Sequence, residues 1–230
     1  MAKNHKNQQI EGKETVEMFQ ELDQNVVQSE RFIEKNAKKI GLAFAFVVAL
    51  VLGYFGYQQF VVLPKNEEAT KMYLTAQKNL AEGREDIALG KTANSGFKGA
   101  IEKYAGTDAG RLSAYNAGLI EFNKGNYQKA YDLLDKFSSN NKVLTALKYG
   151  VMGDCMANLN KPEDALSLFE KAISTSDDVY TSYYFTRKAG VFALATKKKE
   201  VAKKHFNTIE EKYQEYDRGL SSAYIEMLKY

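Results

Sequence analysis

Polar and apolar positions divide this chain into three stretches. Residues 1–39 interleave charged and apolar side chains, residues 40–64 carry no charge at all, and residues 65–230 return to a mixed pattern of helical period. The uncharged stretch, IGLAFAFVVALVLGYFGYQQFVVLP (Ile40–Pro64), is apolar or small from Ile40 to Tyr57 apart from tyrosine hydroxyls. At about 1.5 Å per residue it reaches roughly 37 Å as a helix, enough for a hydrocarbon core of ~30 Å. A lone segment in lipid must satisfy its own backbone hydrogen bonds, which selects a helix. Pro64, which lacks an N–H, is expected to end it. A cleaved leader fits less well, because 39 polar residues come first and no small-x-small site follows. A buried core helix of this length without charge is also disfavoured.

Flanking charge gives an orientation. Arg31, Lys35, Lys38 and Lys39 precede the span, whereas Lys65, Lys71 and Lys78 follow it and are offset by Glu67 and Glu68. The bias places the N-terminus in the cytoplasm, with Tyr54 and Tyr57 at the far interface. Gly41, Ala45, Ala49 and Gly53 recur every four residues. Such a stripe is either a face on which another helix packs closely or an incidental result of membrane-helix composition.

Ahead of the span, Val16, Phe19, Leu22, Val26, Ile33 and Ala37 follow helical spacing, predicting an amphipathic helix over Thr15–Lys39. Its charges from Glu14 to Glu30 are all acidic, unlike a membrane-surface helix. A partner-binding helix and a loosely structured juxtamembrane stretch both fit. Residues 1–13 are polar, and His5 there reads as solvated.

Beyond Pro64, Ala69, Tyr73, Ala76 and Leu80 predict a helix over Asn66–Glu82, ended by Gly83. Three similar segments follow: Ala114–Phe137, Tyr149–Ile173 and Arg187–Ile209. Gly118, Gly153 and Gly190 align across them at spacings of 35 and 37, as do Ala130, Ala165 and Ala202. Four residues after each alanine stands a large apolar residue: Leu134, Phe169 and Phe206. Lys124-Gly125-Asn126 and Asn160-Lys161-Pro162 supply tight turns, and the third copy has no turn glycine. A helix-turn-helix unit of about 34 residues with small residues at the crossing resembles the tetratricopeptide repeat. The tryptophan that often opens such a repeat is absent from this chain. FKGAIEKY (Phe97–Tyr104) reads as the second helix of an earlier, degenerate copy, with Ala100 matched to Ala130, and Arg218–Tyr230 as a terminal capping helix.

The expected fold class is therefore all-α, a single N-terminal transmembrane helix followed by a tetratricopeptide-repeat solenoid. The expected divisions are a cytoplasmic tail (1–39), the span (40–64), a linker helix with a degenerate repeat (65–110), three repeats (111–216) and a cap (217–230).

Charge and candidate chemistry narrow the function. The net charge of +3 belongs to residues 65–230, with 25 basic and 22 acidic residues, because residues 1–39 hold seven of each. That is no footprint for nucleic acid. Two prolines, 15 tyrosines and 13 phenylalanines suit helices with aromatic packing. Gly90-Lys91-Thr92 invites a phosphate-loop reading, but position 85 is glutamate where the loop needs glycine. His205 has no second histidine or cysteine nearby, which argues against a metal. Cys155, the single cysteine, reads as a small core residue. No nucleophile-plus-base arrangement stands out, so neither catalysis nor a cofactor is expected. The better site is a groove along the first helices of the repeats. Counting from the aligned glycines places Leu112, Tyr115, Leu119 and Phe122 there in the first copy. Leu147, Asp154 and Asn158 occupy it in the second, and Tyr184, Arg187, Val191 and Leu194 in the third. An exposed apolar strip points to a partner, whereas packing on neighbouring helices is the competing account.

A basic segment, Arg31-Phe32-Ile33-Glu34-Lys35-Asn36, then one glycine- and alanine-rich span, a helical linker and helical repeats make up nearly the whole chain. This layout resembles the bacterial ancillary subunits of the SecYEG translocon (YfgM-like), most closely over Arg31–Tyr57. The resemblance implies an inner-membrane protein with periplasmic repeats, associated with SecYEG and with a membrane-anchored periplasmic chaperone of the prolyl-isomerase type. The tail here is longer and more acidic than that family suggests. An adaptor at the export channel is the expected function, with a structural scaffold of another envelope complex as the alternative.

Overall fold

The structure is a computed structural model that describes residues 34–91 and 95–229. Among the described residues every regular element is helical. The expected tail helix over Thr15–Lys39 lies outside them for all but its last residues. The chain divides after Leu63 into two units.

Among the described residues the first unit contains one helix, α1 (34–57), apolar from Ile40 onward, followed by a π-helical turn, Gln58–Val62. Its large apolar side chains are bare, with Leu42 74 % and Phe44 70 % exposed. A helix hydrophobic all round and unburied is suited to lipid rather than water. Helical backbone runs on without a break from Glu34 to Ala81, so Pro64 does not end the helix as expected. In a regular α-helix the Pro64 ring would collide with the carbonyl four residues earlier. The chain widens just before it: the Leu63 N–H donates to the Gln58 carbonyl, five residues back. A single wide turn of this kind frees room for the ring while keeping the ladder closed.

The second unit contains α2 (Leu63–Ala81), α3 (Glu85–Leu89), α4 (Gly96–Tyr104), α5 (Asp108–Asn123), α6 (Tyr127–Asp135), α7 (Lys142–Asn158), α8 (Pro162–Thr175), α9 (Val179–Ala195), α10 (Lys199–Lys212), α11 (Gln214–Asp217) and α12 (Leu220–Met227). From α5 to α10 the helices pack as pairs, α5 on α6, α7 on α8 and α9 on α10. The first helices also touch in a row, α5 to α7 and α7 to α9.

The pairs are built alike, for reasons visible in their residues. Each first helix has a side-chain cap. Thr107 accepts from the Gly110 N–H at 3.0 Å, Asn141 from Leu144 at 3.0 Å and Asp178 from Thr181 at 2.7 Å. Each first helix also ends on a left-handed residue, Gly125 (φ 78°), Asn160 (φ 57°) or Lys197 (φ 61°). The next N–H then reaches back five residues, Asn126 to Glu121 O, Lys161 to Met156 O and Lys198 to Ala193 O, at 2.8–2.9 Å. That closure satisfies the last carbonyls and reverses the chain. The two helices then cross at the small residues. A methyl group on Gly118 would stand 2.7 Å from Leu134 Cγ, one on Gly153 2.5 Å from Phe169 Cε1, and one on Gly190 3.1 Å from Phe206 Cε1. Ala130, Ala165 and Ala202 are fully buried at the same crossings.

The same construction begins the unit, at a different place from the one expected. Gly83 (φ 74°) ends α2, and the Arg84 N–H donates to Asn79 O at 2.8 Å. Counting from this turn, Ala76 stands where Gly118 does and Ala88, not Ala100, stands where Ala130 does; both are buried. The second helix breaks off at Leu89, where Gly90 takes φ 97°, and α4 starts after the break. Phe97, fully buried beside Ala76 and Ala88 and 5.9 Å from the Tyr73 ring, fills their core. At the other end, α12 covers α10: Tyr224 stacks on Phe206 at 4.7 Å and 7°. Buried Asp217 accepts the Ser221 N–H at 2.7 Å and the Tyr183 hydroxyl at 3.3 Å.

Candidate partner-binding groove

The residues expected along the first helices separate into two groups. On α5, Leu112, Tyr115, Leu119 and Phe122 are half-buried. The Tyr115 ring lies 5.1 Å from Phe137 and Phe122 5.5 Å from Tyr127; burial raises the Tyr115 hydroxyl above its ordinary pKa. Both rings are engaged within the fold. Leu112 instead borders a polar hollow with Arg111, Phe137, Ser139, Asn141 and Leu144. Leu147 packs against Ala146, Ala172 and Phe185. Leu194 packs into the α9–α10 core with Phe206 and Ile209.

Three of the expected residues come together on α9. Tyr184, Arg187 and Val191 line a cavity of about 390 Å³ with Asp154, Phe169, Lys188, Phe192 and Ala195. Successive turns of α9 bring 184, 187/188, 191 and 195 to one face, and α7 supplies Asp154 opposite. Tyr184 is 47 % and Val191 37 % exposed. Asp154 and Lys188 pair at 2.6 Å, and the Asn158 amide donates to the Asp154 carbonyl at 2.9 Å. Burial pushes the Asp154 carboxyl above its ordinary pKa, and Lys188 opposes that shift only in part. The Lys188 ammonium also lies 5.3 Å from the Phe169 ring centre and 5.8 Å from that of Tyr184, within cation–π range. The Arg187 Nε is buried and has no hydrogen-bond partner.

Lys188 is not among the residues expected from the sequence. The readable signal is its opposite charge to Asp154 on the first helix of the preceding pair, because first helices of successive pairs are neighbours.

On α1 the small stripe stands open: nothing lies within 4 Å of a methyl group built on Gly41 or Gly53, and Ala45 and Ala49 are exposed. Cys155 is fully buried beside Asp154, and burial raises its thiol to about 12. At neutral pH it is a protonated thiol, a poor nucleophile. Among the described residues no three His, Cys, Asp or Glu side chains gather in a way that would hold a metal. No protein-family model, curated protein or solved structure matches this chain.

Proposed function

We propose that this chain is a single-pass membrane adaptor whose helix pairs are tetratricopeptide repeats. In this reading α1 crosses the inner membrane with the N-terminus in the cytoplasm, and residues 65–230 form a periplasmic solenoid. The solenoid works beside the SecYEG channel and links it to a membrane-anchored prolyl-isomerase-type chaperone or to emerging chains. The observation that carries the adaptor reading is the exposed Tyr184–Val191 face on a row of first helices, in a chain that also carries a membrane-length apolar helix. Three pairs share the glycine crossing, the left-handed turn and the capped first helix, which supports the repeat assignment. The association with SecYEG rests on the basic segment and span over Arg31–Tyr57 and on the helical linker and repeats beyond them.

The test is purification of the tagged full chain in a mild detergent, with partners identified by mass spectrometry. Channel subunits and a periplasmic chaperone in near-equal amounts are expected. Recovery of a different envelope complex, without the channel, transfers the chain to a scaffold role. A second arm replaces Gly41, Ala45, Ala49 and Gly53 with leucine. Channel recovery is expected to fall, since four added side chains hold a neighbouring helix away; unchanged recovery removes the stripe from the account.

A further inference from the structure

We propose that the hollow between α7 and α9 selects an internal peptide segment in which an acidic side chain is flanked by apolar ones. The inference rests on the reading of this face as a partner site and adds the chemistry of the occupant.

The argument starts from charge. The hollow holds three charged groups, Asp154, Lys188 and Arg187. Asp154 and Lys188 pair at 2.6 Å, so within the hollow Arg187 is the cation without a carboxylate; its charge also acts on the Tyr183 hydroxyl, which donates to Asp217. Among the described residues no carboxylate pairs with it, and its Nε–H is buried without an acceptor. Buried donors in folded proteins are nearly always matched. A planar guanidinium is suited to a carboxylate, which it can grip through two parallel N–H donors. The rest of the wall is apolar: Val191, Phe192, Ala195, Phe169 and the Tyr184 ring. Lys188 lies against two of those rings, which keeps its stem packed and its charge on Asp154. An acceptor of one negative charge with apolar neighbours on both sides complements this surface. Arg187 itself stands near the middle of α9, Val179–Ala195, with exposed Tyr184 and Val191 about one turn to either side, so a chain can run past it in both directions. That favours an internal glutamate or aspartate over a chain terminus.

The test uses the full chain in detergent micelles and two fluorescent peptides with both ends blocked. Each has a Gly-Ser frame around a central Leu-Glu-Phe or Leu-Gln-Phe. The wild-type protein is expected to bind the glutamate peptide about tenfold more tightly, with the preference shrinking at high salt. Arg187→Gln is expected to abolish the preference while keeping the weaker glutamine-peptide binding, and Arg187→Lys to retain part of it. Val191→Glu is expected to weaken both peptides. Equal binding of the two peptides by the wild type, with Val191→Glu still weakening both, overturns the acidic selectivity and leaves the groove reading standing. A preference that survives Arg187→Gln overturns the role given to Arg187. Failure of both peptides to bind overturns the inference, and the adaptor reading is then decided separately by the co-purification.

Discussion

At the scale of single residues, the crossings make a graded test of packing. Replacing a helical glycine with alanine ordinarily favours the helix by about 1 kcal/mol. At Gly153 the new methyl would stand 2.5 Å from the Phe169 ring, and the backbone oxygen of Ala165 is 3.2 Å away. Overpacking there is expected to outweigh the propensity gain and to destabilise by roughly 1–3 kcal/mol. At Gly118 the obstacle is a leucine side chain, at 2.7 Å, which can turn aside more easily than a buried ring. At Gly190 the nearest atom is 3.1 Å away. Thermal melts of the three alanine variants should therefore rank Gly153→Ala as the least stable and Gly190→Ala as the most. Equal melting temperatures would show that the crossings do not limit the packing. The periodic glycines are readable from the sequence because close approach of two helices admits few residue types. The unpaired guanidinium of Arg187 is not readable, because whether a charge finds a partner depends on helix rotation, which spacing alone leaves open.

His205 carries a second residue-scale prediction. It is buried on α10, its Nε2 has no hydrogen-bond partner, and the Glu170 carboxylate is 3.7 Å away. Burial lowers the imidazole's pKa; Glu170 pulls the other way and Lys204 adds to the lowering. Burial prevails because Glu170 is half exposed and its charge is largely met by water. A histidine whose folded pKa lies below its unfolded value of ~6.5 binds its proton more readily in the unfolded chain. Its contribution to stability is therefore whole above pH ~6.5 and is lost as the pH falls towards the lower folded value. Melting temperatures measured between pH ~7 and ~5 should fall more steeply for the wild type than for His205→Gln. Parallel slopes would show that other groups set the acid dependence.

At the scale of elements, the turns show how one helix-pair construction can recur while its sequence signal fades. Gly125 takes its left-handed conformation without cost, whereas Lys197 holds the same conformation at φ 61° with a side chain. Left-handed backbone costs an ordinary residue about 1 kcal/mol. Lys197→Gly is expected to stabilise the protein by up to that amount, raising the melting temperature by a few degrees. A fall would mean that the lysine side chain makes a compensating contact. The same logic explains the displaced first copy. Its turn at Gly83 keeps the hydrogen bonds of the later turns, but its second helix breaks at Gly90, and Phe97 supplies the core residue from beyond the break. A fixed-period comparison cannot track an interrupted helix, so FKGAIEKY aligns by resemblance to the wrong partner. Pro64 misleads for a related reason: proline marks a helix end only where the preceding turn stays regular, and here that turn is π-helical.

At the scale of the whole second unit, packing passes from each helix to its neighbours, so the last pair depends on what covers it. A terminal unit in such an array needs a partner for its outward apolar face. Here α12 provides it: Tyr224, Ile225 and Leu228 pack against the core formed by Phe206 and Ile209, and Asp217 ties the turn before α12 to Tyr183 and Ser221. Ending the chain after Asp217 removes those three side chains and opens the Phe206 ring to water. The loss is expected to be on the order of 3 kcal/mol, from the apolar surface exposed, with a lower melting temperature and increased binding of an apolar dye. Tyr224→Ala, which keeps α12 and removes only the stacked ring, should produce a smaller shift in the same direction. If the truncated chain melts as the intact one does, α12 is an ornament on α10 rather than its cover. The stability of the last pair would then have to come from within α9 and α10, where the fully buried Phe206 and Ile209 already meet Ala193 and Ala202.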